Sequence, residues 1–255
     1  MGTIFMIHGM WGGAWCFEKY IPFFEAKGYK CMAVDLLHHD VDPKAPPPPQ
    51  LGTTSLVDYV DHMEAQIKKL PNPPIIMGHS MGGLLAQMLA ARGLGKAVIL
   101  LTPASPAGIL ALRLTVIKTF WDAITTWAYW RKPFLLSFDK LVYSVMNNTP
   151  QEEARLYYDR MVYESGRAIF EIGSWFVDLR RGSAVDETKV TAPMLVVAGS
   201  LDRITPAKVV RQVAAKYAHV SEYREFPHNA HNVLAEPGWE AVADHAYDWL
   251  KRKGF

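Results

Sequence analysis

The stretch Gly78-His79-Ser80-Met81-Gly82-Gly83 follows the apolar run Pro74-Ile75-Ile76-Met77 and precedes Leu84-Leu85-Ala86-Gln87-Met88-Leu89-Ala90. A short apolar run leads in and a helix-forming run leads out, so the stretch reads as a tight strand-to-helix turn. Its first five residues fit G-x-S-x-G in the strand-turn-helix context that the pattern requires. The glycines explain themselves: in so sharp a turn, side chains beside the serine would collide. The turn lifts the Ser80 hydroxyl above the sheet edge, at the start of a helix whose dipole favours developing negative charge. The other use of a serine here is a helix cap. The context on both sides favours a nucleophile.

Working outward, short apolar runs alternate with longer helical patterns, the rhythm of a parallel sheet with crossover helices. The strands are expected at Thr3–Ile7, Lys30–Asp35, Pro74–His79, Ala97–Thr102, Met194–Ala198 and Ser221–Phe226. Helices are expected at Trp15–Lys27, Leu56–Leu70, Met81–Arg92, Pro206–Lys216 and Trp239–Lys251. The fold class is α/β, a mostly parallel six-stranded sheet flanked by helices. Pro43 to Pro49 reads as a stiff exposed loop.

The rhythm breaks between Thr102 and Met194, where no convincing strand occurs. Pro106–Trp130, Thr149–Glu164 and Gly166–Arg180 look helical, the second with Thr149 as N-cap and Pro150 at the first position. Residues 106–182 are therefore expected to form a helical cap on a core made of 1–105 and 183–255. Between Ala107 and Gly182 lie 14 of the chain's 30 aromatic residues, which suits a lid over a pocket, though most of the rings need only pack the cap. Arg113, Lys118 and Asp122 among its apolar residues suit a water-soluble lid better than a membrane-inserting one.

A serine hydroxyl needs a base, and the base an orienting acid. In this motif's usual chain order the acid is Asp202, in the loop after the strand ending at Ala198. The base is one of two histidines after the last strand, in Phe226-Pro227-His228-Asn229-Ala230-His231. His231 lies deeper in the loop and is preferred; His228 reads as a loop-shaping or water-facing group. All three loops open at the carboxyl edge of the sheet. Oxyanion donors are expected from the Met81 N–H and from the glycine-rich loop Ile7-His8-Gly9-Met10-Trp11-Gly12-Gly13, where the Met10 N–H is the candidate. His8 reads as a structural hydrogen-bonder, and Trp11 or Trp15 as a wall of the substrate pocket. His79 should pack beside the elbow. His38-His39 near Asp40 and Asp42 hints at a metal, but adjacent side chains diverge, and a solvated loop is expected.

A formal net charge of +2 offers no basic face for nucleic acid. Cys16 and Cys31 fit no metal spacing and are expected as reduced thiols. No uninterrupted apolar run reaches membrane-spanning length, and no leader is apparent before Thr3, so a cytoplasmic location is expected.

With these pieces placed, the chain resembles the α/β-hydrolase superfamily over nearly its whole length. The resemblance rests on the His8-Gly9 loop, the Gly78–Gly82 elbow, the helical cap, the Gly199–Asp202 loop and His231. The compact start resembles the small esterase and hydroxynitrile-lyase branch and bacterial carboxylesterases. Hydroxynitrile lyases of that branch have threonine after the oxyanion-loop histidine and lysine after the catalytic one; here stand Gly9 and Asn232, which weakens the lyase reading. The glycine-rich turn common in the superfamily is replaced by Leu36-Leu37-His38-His39. The resemblance implies a serine carboxylesterase acting on small to medium apolar esters, with no cofactor, no metal and no integral membrane association. Lysophospholipase or monoacylglycerol lipase, thioesterase, perhydrolase and C–C hydrolase chemistry would use the same triad. A receptor of this fold with little turnover is the reading from another class.

Overall fold

Strands covered by helices on both faces have no solvent side to make polar, so near-continuous apolar runs become a parallel sheet. The computed structural model describes residues 2–111 and 113–255. Its strands, in chain order, are β1 (Thr3–Ile7), β2 (Lys30–Val34), β3 (Ile75–His79), β4 (Ala97–Leu101), β5 (Pro133–Phe134), β6 (Glu164–Ser165), β7 (Met194–Gly199) and β8 (Ser221–Phe226). All but β5 and β6 form one six-stranded sheet in the order β2-β1-β3-β4-β7-β8, parallel throughout. The helices are α1 (Tyr20–Glu25), α2 (Leu56–Ile67), α3 (Met81–Ala91), α4 (Leu114–Thr125), α5 (Phe138–Ser144), α6 (Gln151–Tyr158), α7 (Gly166–Gly173), α8 (Ala207–Lys216) and α9 (Trp239–Arg252).

The alternation of side chains along each strand feeds two cores. Phe5, Ile76, Val98 and Val196 meet α2, α3 and α8 on one face. Ile4, Met77, Ile99 and Val197 meet α1 and α9 on the other, where Trp249 is wholly buried. Strand order reverses direction of growth at β1, whose neighbours are β2 and β3. A crevice opens at such a switch point, beyond the carboxyl ends of the strands. The loop after β1 and the elbow after β3 both empty into it.

Local departures from the expected elements have physical causes. The helix expected over Trp15–Lys27 splits into a single 3-10 turn at Ala14–Phe17 and α1. A continuous helix would put Pro22 in its interior, where the ring clashes with the preceding turn and a hydrogen bond is lost. In the cap, the expected Pro106–Trp130 helix shrinks to α4, and Gly166–Arg180 to α7. The N-cap position of α6 is Pro150 rather than Thr149, with Glu152 and Glu153 in the first turn. The helix α5 and the antiparallel pair β5–β6 were not expected.

Two buried carboxylates tie cap to core. Glu171 on α7 accepts the Leu56 N–H at the start of α2 (2.8 Å) and pairs with Arg167 (2.7 Å). Glu164 accepts the Tyr59 hydroxyl proton (2.7 Å) and lies 3.2 Å from His39 Nε2. Burial alone would lower the His39 pKa, but the Glu164 carboxylate outweighs it and raises it, while His39 holds Glu164 below its ordinary value against the same burial. His39 therefore sits in a buried ion pair, which corrects the solvated-loop expectation. Among the described residues no helix is long and apolar enough to cross a membrane. Cys16 and Cys31 are free thiols.

Candidate active site

The elbow is built by close backbone approach. A Cβ on Gly78 would run into the Gly82 carbonyl, and one on Gly82 into the carbonyls of Ile7 and His8. Ser80 takes φ 53° and ψ −120° and makes no side-chain cap to α3, which removes the helix-cap reading. Trp11 (φ 61°) and Thr102 (φ 41°) are strained in the same sense nearby. Such conformations cost on the order of 1–3 kcal/mol each and persist where surrounding contacts enforce them. For Ser80 these are its N–H to Leu101 O (3.0 Å) and its carbonyl accepting Gly83 and Ala104 N–H (2.9 and 2.8 Å).

The three residues chosen from sequence come together. The Ser80 hydroxyl donates to His231 Nε2 at 2.9 Å, and His231 Nδ1–H donates to Asp202 Oδ2 at 2.8 Å. His231 is 2% exposed and Asp202 6%, so this relay is shielded from water. Asp202 Oδ1 accepts the Ile204 and Thr205 N–H groups at 2.7 and 2.8 Å, and Oδ2 lies 2.8 Å from the Thr205 hydroxyl. Burial would raise the Asp202 pKa; the adjacent His231 and these donors outweigh it and hold the carboxyl below its ordinary range. An ionised Asp202 fixes the Nδ1–H tautomer, leaving Nε2 free to accept.

The His231 backbone is held as tightly as its ring. Its carbonyl accepts from His79 Nε2–H (2.9 Å) and the Thr102 hydroxyl (3.0 Å). The buried Glu236 accepts the Ala230 N–H (2.7 Å) and the Asn229 side-chain N–H (3.1 Å), clamping the loop one residue before the histidine. The Asn229 carbonyl accepts the Leu201 N–H (2.9 Å), which joins the histidine loop to the acid loop. Sequence reading missed the positions of Thr102, Thr205 and Glu236, whose contacts depend on loops brought together by the sheet. His228 is exposed, and its carbonyl accepts from Asn148 of the cap (2.9 Å).

Met10 and Met81 flank Ser80 in one cavity of about 150 Å³. Among the described residues neither N–H has a protein acceptor, so both are available to an oxyanion. The His8 ring shapes their loop, donating from Nδ1 to Gly9 O (2.7 Å) and accepting the Leu36 N–H at Nε2 (3.1 Å). The cavity walls are apolar, with Ile117, Phe120 and Ile124 from α4 and Ile169 and Ile172 from α7. Of the 14 cap aromatics only Phe120, Tyr129 and Trp175 line it. Neither Trp11 nor Trp15 does, which corrects the pocket-wall expectation. The Trp11 ring packs among Leu136, Leu141 and Met146, and its Nε1–H donates to Phe134 O (3.0 Å), so it anchors the cap instead. Among the described residues no cluster of three metal-ligating side chains occurs.

Burial lowers the pKa of both His8 and His79 from 6.5 to about 3, with nearby histidines adding to the shift. Both rings are therefore neutral in the folded protein down to that pH, whereas the unfolded chain binds their protons below about 6.5. The stability they contribute is complete above pH 6.5 and is lost as pH falls toward 3. His39, with its raised pKa, contributes stability that is already complete below 6.5 and so does not vary in that window. The urea midpoint is expected to fall between pH 6.5 and pH 5, through an unfolding free energy lower by on the order of 2 kcal/mol per ring. A flat or rising midpoint would mean that the folded protein protonates these rings.

The sequence matches the family described as the alpha/beta hydrolase family over residues 4–245. It is 24% identical to a monoacylglycerol lipase from Mycolicibacterium smegmatis, over 98% of this chain and 88% of that one. A methylesterase from Arabidopsis thaliana is 33% identical over a local match, 31% of this chain and 30% of its own. Among solved structures, a methylesterase from Arabidopsis superposes with a TM-score of 0.74 at 14% identity, covering 98% of this chain and 99% of that one.

Proposed function

Because this chain belongs to the alpha/beta hydrolase family, we propose that it cleaves small to medium apolar carboxylic esters through an acyl-enzyme on Ser80. That it is a carboxylic ester hydrolase rests on the family match and on esterases and a lipase among its relatives. The observation that supports the acyl-enzyme route is the hydrogen-bonded line Ser80–His231–Asp202 at the apolar cavity, beside two N–H groups without a protein acceptor among the described residues.

In this reading the Ser80 proton passes to His231 Nε2 as Oγ attacks the ester carbonyl. The carbonyl oxygen becomes an oxyanion held by the Met10 and Met81 N–H groups. Asp202 stabilises the imidazolium, which then protonates the departing alcohol. Water, deprotonated by the same nitrogen, splits the acyl–serine ester and releases the acid. His79, Thr102 and Glu236 position His231 without touching substrate.

Cavity size sets the acyl preference. An apolar cavity of ~150 Å³ takes a benzene-sized group, about the bulk of a hexanoyl chain. Each added methylene buried there contributes about 0.8 kcal/mol, roughly a fourfold gain in kcat/KM. A p-nitrophenyl ester series from C2 to C16 is expected to peak at C4 to C6 and decline beyond. A second reading, a monoacylglycerol lipase, is supported by the relative that matches nearly the full chain. A maximum at C12 or longer would replace the esterase reading with that one. Sustained turnover at all separates both from a non-hydrolytic receptor.

A further inference from the structure

Among the described residues, eight of the eleven exposed large hydrophobic side chains fall in two short cap segments, within residues 110–127 and 176–179. Leu114 and Trp127 are 84% exposed and Leu179 98%, with Trp121, Phe176 and Val177 more than half exposed. The segments border the same opening. Leu110 and Ile124 of the first line the cavity, as do Ile172 and Trp175, just before and within the run that leads to the second. The Tyr129 and Ser174 hydroxyls, 3.3 Å apart, join the two strips of chain.

On α4, Ile117, Phe120 and Ile124 face the cavity, while Leu114 and Trp121 lie one flank over, seven residues apart and so on a single face. The apolar arc thus continues past what the cavity needs and ends in water. Within or next to these segments in sequence, Arg113, Lys118, Arg131, Lys132, Arg180 and Arg181 are all exposed. The exposed acid in these stretches, Asp122, already pairs with Lys140 (2.8 Å). Exposed apolar strips beside one cavity opening, flanked in sequence by cations, have the character of an interfacial surface for anionic lipid. A second copy of the chain fits it poorly, because a two-fold contact on this patch sets the six cations against themselves.

We infer that this face of the cap docks on anionic lipid surfaces, so that apolar esters dissolved in the lipid enter the cavity directly from it. The inference rests on the ester-hydrolase reading for its purpose, but docking itself needs no chemistry. Arg113 and Lys118, which suggested a water-soluble lid in the sequence, are here among the cations that flank the apolar strips.

The test uses the full chain with Ser80→Ala, which cannot turn over ester, and flotation with vesicles of phosphatidylcholine with or without 30 mol% (roughly a third) phosphatidylglycerol. Binding is expected to the anionic vesicles, weakened tenfold or more by the pair Trp127→Ser and Leu179→Ser, neither of which lines the cavity. In the Ser80 background the same pair should leave turnover of a soluble short-chain ester within about twofold, which also shows that it folds. Charge removal by Arg180→Gln with Arg181→Gln should erase the preference for anionic vesicles. Absence of flotation overturns the inference, as does flotation that ignores the pair. Concentration-dependent dimers lost in the pair would assign the face to a second copy and also overturn it. A failed Ser80 assignment would leave the flotation result untouched.

Discussion

Replacing Ser80 with alanine is expected to lower kcat on a p-nitrophenyl ester by about three or more orders of magnitude, with the fold intact. That loss corresponds to about 4 kcal/mol or more of transition-state stabilisation. In the proposed mechanism the hydroxyl is the one reacting atom in the line to His231 and Asp202, so its removal leaves only cavity binding and the two backbone donors. Stability should change little. The strained φ of 53° is enforced by backbone hydrogen bonds that alanine retains, and the hydroxyl caps no helix end. Equal steady-state rates in mutant and wild type would exclude Ser80 as the nucleophile.

Substitution of His231 by alanine should cost nearly as much, because nucleophile and base act as a unit. Asp202→Asn should cost as much or less: it leaves Ser80 in place but removes the charge that orients the imidazole. His228→Ala is the contrast, expected to stay within about tenfold of wild type. His228 is exposed and engages the cap through its backbone carbonyl, whereas His231 is buried between Ser80 and Asp202. Rates for the four variants measured side by side decide between the two histidines. An exchange of behaviour between His228 and His231 would overturn the assignment.

The sheet was legible because burial on both faces writes itself into the central strands as a continuous apolar run, Ile75-Ile76-Met77 being an example. The elbow was legible for a related reason: Gly78 and Gly82 stand where backbone contacts leave no room for a Cβ. From these the positions of Ser80, Asp202 and His231 followed by topology, since strand ends meet at one edge. The cap was less legible. Its helices are as short as seven residues, too short to be stable alone or to show a clear periodicity, so packing sets their limits. Trp11 illustrates the difficulty. Its neighbours in sequence belong to the glycine-rich loop after β1, but its ring finds partners at Phe120 and Phe134, more than a hundred residues away. His39 and Glu164 likewise meet across 125 residues, and no local pattern announces the pair.

Covalent labelling tests the central claim most directly. A fluorophosphonate phosphonylates a serine activated by a neighbouring base, and its adduct can be mapped to a single peptide by mass spectrometry. The account predicts one adduct per chain, on Ser80, formed rapidly in wild type, lost in Ser80→Ala and strongly slowed in His231→Ala. Stoichiometric labelling at any other serine, or an adduct on Ser80 that forms equally fast without His231, would contradict it.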